Sequence, residues 1–292
     1  MIYLALTIVF TSCLTLAFKI TGRFTISTLQ TIVFNYITCV VIGSIVNGNF
    51  PINKQIVLEN WFWWAVAMGS IFIVLFNIIA FTTQSLGVAV ASVANKLSLV
   101  IPFLFSFLLY GDALTVTKII GILLALGAVV LTCWPHGKLE GSTLKPTLGW
   151  ALVLPIVLFF GSGFLDAMVK YVEASFLTPQ NSNSYFISAF ATAAVLGATI
   201  LFVLILSGKE KFDPRSMIAG ICVGFPNYFS IWCLVKVLKQ FQKNSSAIFP
   251  IVNIGIVLFS TLIAFFVFRE KLSRLNWLGI VLAIFAIVML SI

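Results

Sequence analysis

The sequence predicts an all-α integral membrane protein of ten transmembrane helices, arranged as two inverted five-helix repeats. Three observations predict it. Of the 292 residues, 61% are hydrophobic and only 9% are charged, against about 25% charged in an ordinary soluble domain. The charges leave ten uncharged windows, 1–18, 24–53, 60–95, 97–111, 119–137, 146–165, 174–208, 216–235, 244–268 and 275–292. A shift of 158 residues superimposes the end of the first half on the end of the second. A spanning helix needs roughly 20 mostly apolar residues. The blocks are continuous Ile, Leu, Val, Phe and Ala without the alternation of a barrel strand, so helices satisfy the backbone.

The first helix covers about 2–20, with Thr7, Thr11, Thr15 and Lys19 on one face as a packing seam or a polar wall. It has no basic start and no small-residue cleavage site, so it reads as a span and not a signal peptide. The second covers 28–47 with Asn35 as an isolated polar residue, and the third covers 61–82 with Asn77 inside it. Trp61, Trp63 and Trp64 at its start read as an interfacial belt. The fourth, 88–110, holds Asn95, Lys96 and Pro102; the fifth, 114–134, holds Gly121. The sixth, 147–170, holds Pro155 and Asp166, the latter four residues before Lys170, with Glu173 beyond. The seventh is 183–206, and the eighth, 215–236, carries Pro226, Asn227 and Ser230. The ninth, 245–268, carries Ser246, Phe249, Pro250, Asn253 and Ser260, and the tenth is 274–291. Pro102, Pro155, Pro226 and Pro250 are kink positions of the kind spans tolerate. Most of the 29 Phe face lipid or neighbouring helices.

The repeat divides the chain at 1–137 and 138–292. Asn95 aligns with Asn253, Leu104 with Leu262, Phe107 with Phe265, Asp112 with Glu270, Leu114 with Leu272 and Gly121 with Gly279. Six of the thirteen positions from Gly121 to Cys133 are identical to their mates: Gly121, Ile122, Leu124, Ala125, Ala128 and Val130. Five helices is an odd number, so the second copy enters the membrane upside down. Inverted repeats are a transporter architecture, with the solute site near the midplane where the copies meet.

Tyr110-Gly111-Asp112-Ala113-Leu114 followed by Gly121, and Phe268-Arg269-Glu270-Lys271-Leu272 followed by Gly279, carry a further signal. Two five-helix repeats, each ending in helix, acidic turn and helix, resemble the EamA-type carriers of the drug/metabolite transporter superfamily. The family pattern at the turn is Gly-Glu-x-Leu. Here the first copy has Asp for Glu and the second Arg for Gly. The resemblance implies a ten-helix carrier of small metabolites, often an exporter, in the cell (inner) membrane. It implies cytoplasmic termini. The bases run the other way, ten after odd-numbered helices against six after even-numbered ones, a lean toward an N-terminus outside. Orientation stays open. Asp112 and Glu270 read as helix caps.

The expected function is a secondary carrier of a small organic metabolite, an amino acid or other carboxylate-bearing solute, by alternating access. The alternatives are an integral membrane enzyme or a non-transporting membrane protein. No metal site or cofactor is expected: there are eight acids, and the one histidine, His136, is in a loop. Neither HExxH nor GxSxG occurs. The net charge of +9 is spread singly along loops without a nucleic-acid signature. Cys13, Cys39, Cys133, Cys222 and Cys233 all fall in apolar spans and read as small hydrophobes.

An ionisable group inside a span costs about 2.5–3.5 kcal/mol on insertion scales and is a functional candidate by default. Lys96 is such a group, and its mate is Ile254. It is the candidate partner of an anionic solute group, with a structural lysine as the alternative. Ser92, Lys96, Leu99, Phe103 and Ser106 share one stripe of the fourth helix; Ser246, Pro250, Asn253, Val257 and Ser260 share one of the ninth. Candidate substrate contacts are therefore Lys96, Asn95, Asn253, Ser92, Phe103, Ser106, Ser246 and Phe249. Asn95 and Asn253 serve equally as interhelical hydrogen-bonding residues. Asp166 is either half of a salt-bridged helix end with Lys170 or a proton-coupling carboxylate.

Overall fold

The computed structural model describes residues 2–23, 26–86, 88–110, 115–132, 148–241, 245–266 and 273–291. Among them there is no strand. The helices are α1 (Ile2–Arg23), α2 (Thr28–Asn47), α3 (Phe62–Leu86), α4 (Val88–Leu97), α5 (Val100–Tyr110), α6 (Val116–Thr132), α7 (Leu148–Phe176), α8 (Ser182–Leu206), α9 (Pro214–Gln240), α10 (Ser245–Phe266) and α11 (Arg274–Ser291). A 3₁₀ turn, Ile56–Leu58, precedes α3. Five stretches are long and apolar enough to cross a membrane: Thr28–Asn47, Phe62–Thr82, Val153–Phe176, Ser182–Leu206 and Pro214–Gln240. Five more are apolar but shorter: Ile2–Leu14, Ala94–Phe105, Val116–Leu131, Ile248–Ile263 and Arg274–Leu290.

Two sequence expectations need correction. The single helix expected over 88–110 is two helices, with a turn at Ser98–Leu99. Pro102 has no N–H to give the carbonyl of Ser98, four residues earlier, and its ring crowds that carbonyl. The backbone tightens instead to three-residue bonds, Leu99 N to Lys96 O at 3.4 Å and Ile101 N to Ser98 O at 2.9 Å. The sixth expected helix does not end at 170: α7 runs to Phe176. Lys170 and Glu173 lie within it and are buried, so Asp166 and Lys170 do not form a helix end.

The chain forms two compact units, Met1–Ser12, Ile78–Ala167 and Lys236–Ile292 in unit 1, and Cys13–Asn77 and Met168–Val235 in unit 2. Each draws on both sequence halves.

In unit 1, α6 and α11 make the most extensive helix pairing. Gly121 early in α6 meets Leu290 late in α11, where an added Cβ would come 2.8 Å from Leu290 Cγ. Leu131 late in α6 accepts a bond of 3.0 Å from Asn276 Nδ2 early in α11. The helices are thus antiparallel. Ala125, Ala128, Ala283 and Ala286 are small and fully buried along the seam. Both helices start alike. Thr115 Oγ1 accepts the Lys118 amide. At the matched position, 158 residues on, Ser273 Oγ accepts the Asn276 amide, and Asn276 Oδ1 accepts the Ser273 amide in return. Reciprocal bonds of this kind satisfy two N–H groups that a helix start otherwise leaves open. The expected acidic caps, Asp112 and Glu270, lie outside the described residues.

In unit 2, α2 and α8 are antiparallel, and bare glycine backbone sets their approach at two places. A Cβ on Gly43 would come 2.6 Å from Ile187 Cγ1; one on Gly197 would come 2.9 Å from Val33 Cγ2. Ile187 and Gly197 follow Val33 and Gly43 by the same 154 residues, so the two contacts are one contact made twice, in reciprocal sense. Against α9 the second helix runs parallel. Gly220 lies against Thr31, Phe34 and Asn35, Gly224 against Asn35 and Thr38, and Gly43 against Tyr228. Gly220-x-x-x-Gly224 is the small-residue spacing that lets helix backbones approach closely. Helix α3 also runs parallel to α8: Gly69 lies against Ala189, Thr192 and Ala193, and Ile73 against Gly197. Tyr36, Phe72 and Phe190 stack at centroid distances of 5.8–6.1 Å in the middle of this unit. The start of α2 and the α8–α9 connection are clasped together: Gln30 gives Nε2 to Lys211 O at 2.7 Å, its Oε1 accepts the Asp213 amide at 2.9 Å, and Ser27 Oγ donates to Glu210.

Candidate functional site

Lys96 occupies the last turn of α4, where a cation meets the negative end of the helix dipole. Two residues on, the turn at Ser98–Leu99 ends the helix, and Ser98 Oγ donates to Asn95 O at 2.5 Å. The break that Pro102 imposes therefore places a charged side chain beside irregular backbone. From there Lys96 Nζ donates to Asn253 Oδ1 of α10 at 3.0 Å. Asn253 is buried, three residues after Pro250. The bond joins the two sequence halves inside unit 1. Asp166 of α7, half-buried, also belongs to unit 1 and interacts electrostatically with the Lys96 ammonium. Helix α7 carries it past α5, where Gly163 lets Ile101 against its backbone: an added Cβ would collide with Ile101 Cδ1. Chemically, an ammonium, an amide and a carboxylate from three helices can bind an anionic group and exchange hydrogen-bond partners with it.

The other expected contacts are placed as follows. Asn95 is half-buried, and among the described residues no hydrogen bond joins it to Asn253. Phe103 and Leu99 are buried in the core with Ile122, Ile254 and Ala283, so the turn interrupts the expected stripe and directs these two into packing. Phe249 is buried on α10. The side chains of Ser92, Ser106 and Ser246 lie outside the described residues, as do Cys133 and His136. Ser260 Oγ bonds back to Ile256 O of its own helix, and Thr7 Oγ1 likewise to Tyr3 O.

The tryptophan belt is altered. Trp63 is 68% exposed, but Trp61 is buried edge-on against Tyr185 at 5.9 Å, and Trp64 lies against Tyr171. Successive residues of a helix point about 100° apart, so neighbours in such a run face different ways. Of the cysteines, Cys39 and Cys233 are buried as expected, whereas Cys222 is exposed; none of the four described forms a disulfide.

Sequence reasoning passed over one polar group. Asn227 Nδ2 donates to Asn35 Oδ1 at 3.1 Å, between α9 and α2. Both residues stand out as isolated amides in apolar helices, but helical periodicity alone does not pair residues 192 positions apart. Tyr36 and Tyr228, which flank this pair, carry no sequence signal that separates them from other aromatic residues of spans.

No protein-family model matches the chain. A solved protein crystal structure shares its fold with a TM-score of 0.73 over 99% of this chain and 94% of that one, at 15% identity. An uncharacterized protein of Haemophilus influenzae is 30% identical over 223 residues, covering 76% of this chain and 72% of that protein. The chain belongs to the family of this Haemophilus influenzae protein.

Proposed function

We propose that the protein is a ten-span carrier of the cell (inner) membrane, built as two inverted five-helix repeats, that moves a small carboxylate-bearing metabolite such as an amino acid by alternating access. The observation that carries this reading is the reciprocal contact of Gly43 with Ile187 and Gly197 with Val33. Two helices make the same contact twice in opposite sense only where they are related by a local two-fold axis. Such an axis is what an inverted repeat generates. Helix directions support it further. With α4 and α5 counted as one span, alternating spans require the second and seventh to be antiparallel and the fifth and tenth likewise. The second and eighth, and the third and seventh, must be parallel. All four pairs, α2–α8, α6–α11, α2–α9 and α3–α8, have that sense. The resemblance to EamA-type carriers agrees with this organisation, and export is the direction it implies.

Lys96 is the anion-binding group. It stands at a discontinuous helix, and carriers use such interruptions for solute contacts. Its symmetry mate is Ile254, so the two related arrangements of the carrier share one charge. Asn253 accepts the hydrogen bond of the ammonium; a carboxylate replaces that acceptor with a stronger, charged one. Asp166 is the coupling carboxylate. Flux of amino acids and simple carboxylates into vesicles containing the purified protein tests the reading. Flux that appears with the protein and is lost on Lys96→Ile is the expected result. Equal flux in protein-free vesicles across the whole panel is the result against it.

A further inference from the structure

Buried polar atoms are nearly always hydrogen-bonded, and each exception calls for a reason. Among the described residues the exceptions are Asn35 Nδ2, Tyr36 Oη, Trp61 Nε1, Ser216 Oγ and Tyr228 Oη. Three of these belong to one region of unit 2. Asn35 and Tyr36 are neighbours on α2, both 0% exposed; Tyr228 of α9 is 1% exposed. The Tyr228 ring lies over the bare backbone of Gly43, where a Cβ would be 2.9 Å from its Cε2. Both phenol rings pack on Phe190, at 6.1 and 6.3 Å. The Cys39 thiol lies 3.8 Å from Asn35 Oδ1. The amide pair with Asn227 uses the acceptor of Asn35 and leaves its donor over.

Phenylalanine at 36 and 228 would fill the same space without burying an unbonded hydroxyl. A fold that keeps polar groups at three adjoining places, against its own stability, keeps them for something that bonds them. We propose that Asn35, Tyr36 and Tyr228 form a second binding site, within unit 2, for an uncharged small molecule that brings a carbonyl or hydroxyl oxygen on a flat apolar body. The hydrogen tally sets the first part: the Asn35 amide offers two N–H groups and each phenol one O–H, so the guest supplies acceptors. The surroundings set the second: Phe72 and Phe190 stack on Tyr36 and Phe76 meets it edge-to-face, so the region is lined by aromatic rings. Among the described residues the hydrogen bonds of the cluster run only to uncharged groups, Asn227, Cys39 and Gly224. An ion placed there would be buried without a counter-charge. The site is in a different unit from Lys96 and has the opposite preference, neutral instead of anionic.

Benzamide, a carbonyl on a ring, is the probe, and benzoate is its charged control. The full chain is purified in lipid nanodiscs, with Cys13, Cys133, Cys222 and Cys233 replaced by Ser so that Cys39 reports on the region. Benzamide is expected to raise the melting temperature saturably and to slow alkylation of Cys39 by N-ethylmaleimide at least threefold, whereas benzoate does not slow it. Y36F/Y228F is expected to melt about 2 °C or more above the parent without ligand, and to lose both benzamide effects. K96I is expected to keep both, which separates this site from the one proposed for the carboxylate. A Y36F/Y228F chain that melts lower or fails to fold overturns the proposal, because the hydroxyls then have structural partners such as internal water. So does a Cys39 that benzamide leaves unprotected, or one that never reacts.

Discussion

Lys96 of α4 and Asn253 of α10 share a hydrogen bond of 3.0 Å, although 157 residues separate them. One comes from each sequence half, and among the described residues no hydrogen bond joins Asn253 to Asn95, the residue it matches in sequence. A lysine next to a helix break, held by a neutral amide, can release that amide for a carboxylate.

Replacing Lys96 by Ile, its mate's residue type, removes the charge and keeps an apolar side chain at the position. A charge-assisted hydrogen bond is worth about 1.5–3 kcal/mol, so transport efficiency for a carboxylate solute drops roughly 10–100-fold or more. Melting temperature and yield of folded protein stay near the parent values. Initial rates in proteoliposomes measure the first and a thermal melt the second. Unchanged rates would remove Lys96 from the pathway.

Asp166→Asn keeps the shape of the side chain and removes its titration. Wild-type uptake follows an imposed pH gradient; the variant transports without responding to it. Parallel flux measurements with and without the gradient decide the matter. Wild-type flux indifferent to the gradient ends the coupling role.

Gly43→Val and Gly197→Val each drive a side chain into a β-branched neighbour across the α2–α8 seam. Overpacking of this kind costs typically about 1–3 kcal/mol. Because the two contacts are reciprocal, the two costs are similar. The sites lie ten residues apart along α2, about 15 Å, so the double variant shows the sum of the two to within about 0.5 kcal/mol. Denaturation of the three variants in detergent gives the comparison.

Pro102→Ala returns an N–H to the position that now separates α4 from α5. The new amide bonds Ser98 O, α4 and α5 join, and the backbone beside Lys96 loses its turn. Hydrogen exchange of the restored amide in P102A shows strong protection, and flux falls although the protein is more helical. Rapid exchange there would mean that packing, and not proline, holds the break.

Thr115→Ala and Ser273→Ala each remove the first bond of a repeat-ending helix, at a cost of about 0.5–2 kcal/mol. Ser273 Oγ also bonds the buried Asn276 Oδ1, whereas the second bond of Thr115, to Thr117 Oγ1, is exposed, so the loss of Ser273 is the larger. Thermal melts of the two variants rank them.

Much of this molecule is legible in the residues. The placement of Lys96, the matched Gly121 and Gly279, and the apolar blocks follow from which side chains water and lipid accept. Helix lengths and breaks are read less well. Pro102 stands out in the sequence, yet whether it bends or breaks a helix depends on whether neighbours satisfy the freed carbonyl; here the Ile101 amide bonds Ser98 O, and Ser98 Oγ bonds Asn95 O in the same turn. The run Trp61-Phe62-Trp63-Trp64 reads as a surface belt by composition, but packing against Tyr185 puts Trp61, just before α3, inside.

The sequence by itself determined the helical class, the apolar blocks and the match between the chain's two halves, because hydropathy and charge act residue by residue. Only the tertiary structure decided that Lys96 meets Asn253, that Gly43 and Gly197 meet Ile187 and Val33, and that Asn35, Tyr36 and Tyr228 are buried with polar atoms left over. Those are relations between distant positions. They are set by how closely helix backbones approach and which way each face turns, and a linear pattern carries neither quantity.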